Sequence, residues 1–295
     1  MKLGTSFQHI GTLDAAYSAS TGVRKRVLRL SFFRKLFRLT LVCFDFAYEI
    51  VWVLFTRPKT RAARAGWLSQ LTRRVMRTIG MTFTTIGPVP MSGAVISNHL
   101  TFFDIFFHAA LRPCVFISKI ELRKMPILGW ISMMSGTVYV SRGAGGSAAK
   151  AAEGMGQGFR DSLPVVFFPE GTTGIDSRAI MTFRSGLLAQ AIMLEQPVIC
   201  AYIHYEFSPV DLAAGKTPEH DFYWGRQSLP RLIWDFLGLH EIHGTVKFSA
   251  QPIVFSAQAI ADRKIAAEEA RIAMLTLAGL PADSPAPLPE FPPAP

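Results

Sequence analysis

From residue 82 onward, short apolar runs alternate with stretches of helical composition, and this alternation limits the fold more than any other feature. The segments 93–98 (GAVISN), 114–119 (CVFISK), 136–142 (GTVYVSR), 163–169 (LPVVFFP), 196–203 (QPVICAYI) and 245–253 (TVKFSAQPI) read as strands. Helices fit between most of them, at 101–111, 147–160 and 182–195, with a last one over 257–278. Strands separated by helices do not close as hairpins. The pattern therefore predicts an α/β fold with a mixed, largely parallel sheet flanked by helices. Continuous apolar runs such as 165–168 (VVFF) fit strands covered on both faces.

The chain before residue 82 has a different character. Residues 21–80 carry fourteen Lys or Arg and two acids, Asp45 and Glu49, a net +12 against +10 for all 295 residues. The most apolar stretch, 39–55 (LTLVCFDFAYEIVWVLF), is at the short limit for a helix that spans about 20 residues of bilayer. Asp45 and Glu49 stand four apart and so share one helical face. Two arrangements are open: a helix that dips into one leaflet, its carboxylates turned to Arg38 or to a second helix, and a single span. The second helix, 60–80, sets Trp67, Leu68, Leu71, Val75 and Ile79 opposite its arginines.

Together these helices predict an N-terminal amphipathic, membrane-embedded helical hairpin. Basic charge interleaved with long apolar runs suits an anionic lipid surface, so membrane lipids are the expected partner and nucleic acid is not. No cleavable leader is expected, because no small-residue cleavage site follows the first apolar run. The expected organisation is a loose N-terminus over 1–22, a basic membrane-associating helical segment over 23–80, an α/β domain over 81–280 and a Pro-rich disordered tail over 281–295. Cys43, Cys114 and Cys200 form neither a disulfide framework nor a zinc pattern, which fits a reducing compartment.

Three constellations carry chemistry. The first is 97–104 (SNHLTFFD), at a strand end leading into a helix, where α/β proteins present functional groups. Five residues separate His99 from Asp104, so the carboxylate can fold back onto the ring. It would then fix the tautomer and free the other nitrogen to deprotonate a hydroxyl. The same pair equally serves as a helix cap. The second is 168–174 (FPEGTTG), where Gly171 permits a tight turn. Glu170 can accept from a polyol or hold the loop through its amides. The third comprises Lys119 and Arg142, a strand-end guanidinium suited to gripping an anion.

In their order along the chain, NHLTFFD (98–104), KIEL…P…G (119–129), GTVYVSR (136–142), FPEGTTG (168–174) and QPVICAY (196–202) resemble the motifs of the PlsC-like 1-acylglycerol-3-phosphate (lysophosphatidic acid) acyltransferases. The resemblance covers about 93–203. It implies His99 as general base, Asp104 as its orienting partner, and direct attack of the acceptor hydroxyl on a thioester without an acyl-enzyme. It further implies Asn98, Lys119, Gly136, Arg142, Glu170, Gly171, Thr172 and Arg184 around the lysolipid acceptor. Acyl-CoA or acyl-carrier protein would be the co-substrate, with no metal or other cofactor, and the site would lie at the cytoplasmic face of a membrane. The absence of a G-x-S-x-G turn agrees with a mechanism lacking a serine nucleophile.

Two positions depart from the family pattern. Thr101 replaces a serine, and Thr173 stands where the family often has arginine. Arg178 or Arg184 is then needed to supply the missing cation. Without it a lyso-ornithine lipid becomes the alternative acceptor. A non-enzymatic membrane- or nucleic-acid-binding protein is the competing class, and the paired His99 and Asp104 argue against it. The segment 240–243 (HEIH) lacks the HExxH spacing of a zinc site.

Overall fold

The computed structural model describes residues 8–140, 147–224, 228–284 and 286, with side chains for 31–140, 149–224, 228–284 and 286. Two helices lead, α1 (Gln8–Thr56) and α2 (Arg61–Ile79). The alternating part follows as β1 (Met81–Ile86), β2 (Ala94–Ser97), α3 (Phe103–Leu111), β3 (Val115–Lys119), α4 (Leu128–Met134), β4 (Val138–Val140), α5 (Ser147–Arg160), β5 (Val165–Phe167), α6 (Ser185–Met193) and β6 (Val198–Phe207). Three short helices, α7 (Pro209–Ala213), α8 (Pro218–Asp221) and α9 (Leu229–Phe236), precede β7 (Ile242–Phe248), and α10 (Ala257–Ala261) and α11 (Arg263–Ala278) close the series.

The strands form one sheet in the order β1-β7-β6-β2-β5-β3-β4. Every neighbouring pair is parallel except β6 and β7. Both faces are covered. Trp67, Leu71, Phe103 and Phe107 from α2 and α3 fill one side, and Met155, Leu188 and Met274 from α5, α6 and α11 fill the other. This explains the unbroken apolar runs, since β2 and β5 are buried throughout. The ladders set β2 beside β5 and β5 beside β3 in parallel register, so the chain leaves Ser97, Phe167 and Lys119 at one edge of the sheet.

Some elements differ from expectation. α1 begins at Gln8, inside the stretch expected to be loose, because no proline interrupts the chain before Pro58. α6 begins at Ser185 and not at 182, because Arg184 is extended and its amide bonds Pro169 O at 2.8 Å. The last helix is two helices, broken where extended Asp262 caps α11 by accepting from Lys264 N. β1, α4, α7, α8 and α9 had no clear signal. Of the Pro-rich tail, only 281–284 and 286 are described.

The hairpin is present, but its helices face different surroundings. α2 turns Trp67, Leu68, Leu71, Val75 and Ile79 into the protein core and not toward lipid. α1 instead exposes Phe33 (65%), Phe37 (65%), Phe44 (67%) and Phe55 (84%). Ser31–Thr56 is long and apolar enough to enter a membrane, and only 6% of its most apolar stretch is buried in protein. The two acids of that stretch turn toward α2. Thr78 Oγ1 donates to Asp45 Oδ2 at 2.6 Å, and Arg74 Nε lies 3.2 Å from Glu49 Oε1.

Arg38 goes elsewhere, to the carbonyls of Leu237, Leu239 and His240. Much of the basic segment is used in this way: Arg34 bonds Gly238 O, Arg64 bonds the Met133 and Met134 carbonyls, and Arg73 bonds those of Ala110 and Leu111. These carbonyls lie at or just beyond the C-terminal ends of α9, α4 and α3, where cations satisfy open acceptors and the helix dipole.

A chain lacking residues 1–58 should stay folded in detergent and stop pelleting with lipid vesicles. A chain lacking 1–80 should aggregate, because Trp67 and Leu71 leave the core. Vesicle sedimentation beside near-UV circular dichroism checks both, and full vesicle retention of the shorter deletion would contradict the role given to α1.

Candidate active site

The edge of the sheet at which β2, β3 and β5 end gathers most of the motif residues. β2 leads through Asn98 to His99, and α3 begins four residues later with Asp104 in its first turn. Asp104 is fully buried and accepts four hydrogen bonds. His99 Nδ1 lies 2.8 Å from Oδ2, which also accepts from Leu100 N at 2.6 Å and Thr101 N at 3.0 Å. Tyr205 Oη donates to Oδ1 at 2.7 Å. The two readings of this pair are thus both realised: the carboxylate closes the turn into α3 and holds the imidazole.

Tyr205 is buried on β6, and its phenol is pushed well above its ordinary value, first by burial and then by Asp104, so it stays a donor. The expected strand ended at 203, which left Tyr205 out of view. Its signal was alternation, since Ile203 and Tyr205 share the face of the sheet that carries α3.

The His99 ring stacks on Phe168, with centroids 4.0 Å apart and planes at 18°. The side chain is 16% exposed, and among the described residues Nε2 has no bonding partner. One nitrogen is therefore fixed on a carboxylate and the other reaches the space outside the strand ends. That arrangement can take a proton from a hydroxyl. His108, one turn beyond Asp104, is buried, and its pKa is pushed well down by burial, then by Arg112 and His99, so it remains neutral.

The turn after β5 holds this loop in place. Glu170 Oε1 accepts from His99 N at 3.0 Å, Oε2 from Met181 N at 3.4 Å, and Gly174 N donates to His99 O at 2.6 Å. Burial raises the Glu170 carboxyl to about 8 against the lowering pull of the two amides. Glu170 is 5% exposed and both its oxygens bond the loop amides, which is the loop-holding reading of this residue.

Gly171 has φ +71, and a Cβ there would meet Arg184 Nε at 2.5 Å. The glycine lets Arg184, an exposed cation, lie along the turn, as the sequence spacing suggested. Thr172 is half-buried on the same turn. Thr173 donates to Trp224 O, and Trp224 N donates to Leu100 O at 2.8 Å, so this threonine ties a third loop to the one that carries His99.

Two further expectations are corrected. Asn98 is 1% exposed and uses both ends of its amide on β6, Nδ2 to Ile203 O at 2.9 Å and Ile203 N to Oδ1 at 2.7 Å. It extends the β2–β6 ladder and is buried away from open space. Gly136 lies at the opposite, amino end of β4, with φ +78, and its carbonyl accepts from Arg61 of α2 at 3.2 Å. It shapes a turn and does not line the site. Lys119 ends β3 at the same edge as His99 and is half-buried. Arg142 lies outside the described residues.

Residues 80–204 match the family described as Acyltransferase. The matched segment, which holds β2 to β6 and the His99 loop, is similar to the acyltransferase family. The chain is 34% identical over 113 residues to a lyso-ornithine lipid O-acyltransferase of Pseudomonas aeruginosa, covering 36% of this chain and 42% of that protein. It is 32% identical over 133 residues to the Rhodobacter capsulatus protein of that description, covering 42% and 47%. The aligned segments thus span less than half of these relatives. To a 1-acyl-sn-glycerol-3-phosphate acyltransferase of Neisseria meningitidis it is 24% identical over 230 residues, covering 75% of this chain and 85% of that one. The fold matches PlsC of Thermotoga maritima with a TM-score of 0.59 at 19% identity, covering 87% of this chain and 96% of that one.

Asp104→Asn should lower turnover by about a thousandfold or more, because an amide can hold the wrong tautomer. Tyr205→Phe should lower it by about tenfold and destabilise by about 1 kcal/mol, with Asp104 left one donor short. Steady-state rates and urea melts check the pair, and a fully active Asp104→Asn would remove the carboxylate from the mechanism.

Proposed function

We propose that the protein transfers a fatty acyl group from a pantetheine thioester, acyl-CoA or acyl-carrier protein, to the free hydroxyl of a lysolipid, 1-acyl-glycerol-3-phosphate in the first place. The observation that carries the reaction class is the buried Asp104 on His99 Nδ1, with Nε2 turned outward. The acceptor oxygen gives its proton to Nε2 as it attacks the thioester carbonyl. The tetrahedral intermediate then expels the thiolate, which takes that proton back from Nε2. No group of the protein is acylated. The turn of Glu170 and Gly174 keeps the imidazole still while the proton moves.

For the head group, the supporting observation is Arg184 lying along the Gly171 turn, with Lys119 at the neighbouring strand end. Cations at this edge suit a phosphate. A lyso-ornithine acceptor is the second reading. It is favoured by Thr173, whose hydroxyl binds Trp224 where the family often has arginine, and by the relatives of that description. The exposed phenylalanines of α1 support work at a lipid surface, and the membrane's cytoplasmic face is the proposed location.

Acylation by the purified chain with labelled acyl-CoA and a panel of lysolipids tests the reading. Lysophosphatidic acid should be the best acceptor, His99→Ala should abolish its acylation, and Thr173→Arg should preserve or improve it. A preference for lyso-ornithine lipid, with Thr173→Arg giving no gain, would decide for the second acceptor. Near-normal activity in His99→Ala would refute the mechanism.

A further inference from the structure

β6 and β7 face each other in the antiparallel ladder with Tyr202 opposite Lys247 and His204 opposite Thr245. Together with Ser177 and Arg178, these four residues line a cavity of about 290 Å³. It lies across the sheet from the catalytic pair. The two places are separated by consecutive residues of one strand, since Tyr205 points to Asp104 and His204 to the cavity. One stretch of chain serves both: Glu170 and Gly174 hold His99, and three residues later Ser177 Oγ lies 3.0 Å from His204 Nδ1.

The lining of the cavity holds basic side chains and no acid, with Glu206 and Asp176 just outside it. Among the described residues, no carboxylate pairs with the ammonium of half-buried Lys247 or with the guanidinium of Arg178. Asp176 accepts only the Arg178 amide, at 2.8 Å, and Glu206, 66% exposed, lies 3.8 Å from His204 Nε2. The Tyr202 hydroxyl is engaged with Ser177 O at 3.1 Å, and Thr245 adds a further hydroxyl. A guanidinium, an ammonium and an imidazole around one concavity suit a phosphate, which takes the arginine fork and the lysine point charge together. The volume is near the lower limit of about 300 Å³ for small-molecule sites, enough for a phosphate and the start of an attached chain.

The placement decides which phosphate. The cavity and the imidazole lie on opposite faces of the sheet, because the consecutive residues His204 and Tyr205 point to opposite sides of β6. The acceptor's head group sits a few bonds from the hydroxyl that must meet Nε2, so it does not reach across the sheet edge. The donor's phosphate is separated from its thioester by the long pantetheine arm. Resting on the acyl-transfer reading above, we infer that this cavity receives the phosphate end of the donor's phosphopantetheine arm, carried by coenzyme A or by a carrier protein.

The test uses the full chain in detergent with Lys247→Gln and Arg178→Gln, whose unchanged thermal unfolding confirms the fold. Binding of unacylated coenzyme A or holo-carrier protein, read by calorimetry without turnover, should weaken by about tenfold in each variant. The donor KM should rise in step while the acceptor KM stays fixed, and an acyl-pantetheine lacking the phosphate should react equally with all three proteins. An effect confined to coenzyme A or to the carrier protein identifies the source of the phosphate. Unchanged binding and donor KM for both carriers would overturn the inference. So would a rise in acceptor KM or a loss of vesicle binding in its place, which would assign the cavity to a lipid head group. If the wild type acylates no lysolipid while carrier binding still falls in the variants, the acyl-transfer reading fails and the phosphate site stands.

Discussion

A single buried carboxylate joins the parts of this protein that matter for its chemistry. Asp104 accepts from the imidazole of His99, from two amides of the loop that carries it, and from the phenol of Tyr205 on β6. A charge with no exposure is tolerated only where donors surround it. Four donors from two segments of chain meet that need, and in meeting it they fix the start of α3, the end of β2 and the ring between them. Around this centre the loops are held by hydrogen bonds between side chains and backbone. Asn98 locks onto β6, Glu170 onto His99 and Met181, and Thr173 onto Trp224. Three motif positions that invite a substrate-binding reading therefore shape the loop that presents the histidine.

The same logic governs the basic N-terminal region. Read as charge, the segment looks like a surface for an anionic partner. Within the fold, Arg34, Arg38, Arg64 and Arg73 bond carbonyls at or just beyond helix ends, and Lys35 lies 3.4 Å from Asp235. Their work is to fasten α1 and α2 to the domain. Beside them, α1 leaves a row of phenylalanines uncovered. If α1 enters a membrane, as proposed, the hydrophobic effect of this row acts beside any charge the segment carries.

Much of this was legible in the sequence because it rests on short-range rules. Apolar runs broken by helical stretches placed six of the seven strands and the sheet class, and a five-residue spacing placed Asp104 on His99. β1 escaped because residues 82–86 are exposed, so that strand lacks the apolar run that marks the others. Alternation marks the face on which Tyr205 lies and a motif contains Phe168, but what each does was missed for another reason. Their roles depend on β6 and β5 lying on either side of β2, a pairing between residues about seventy to one hundred apart that no local pattern reveals. Asn98 and Gly136 were misplaced because a motif records which residues recur and not which way they face.

The central claim is that His99 activates the acceptor oxygen and that no acyl group ever resides on the protein. Rapid-quench experiments with labelled donor test it most directly. Without a lysolipid, acid-quenched protein should carry no covalent label, and adding acceptor should move label from thioester to lipid in one phase that His99→Ala abolishes. A stoichiometric acyl-protein formed before acceptor is added would contradict the account.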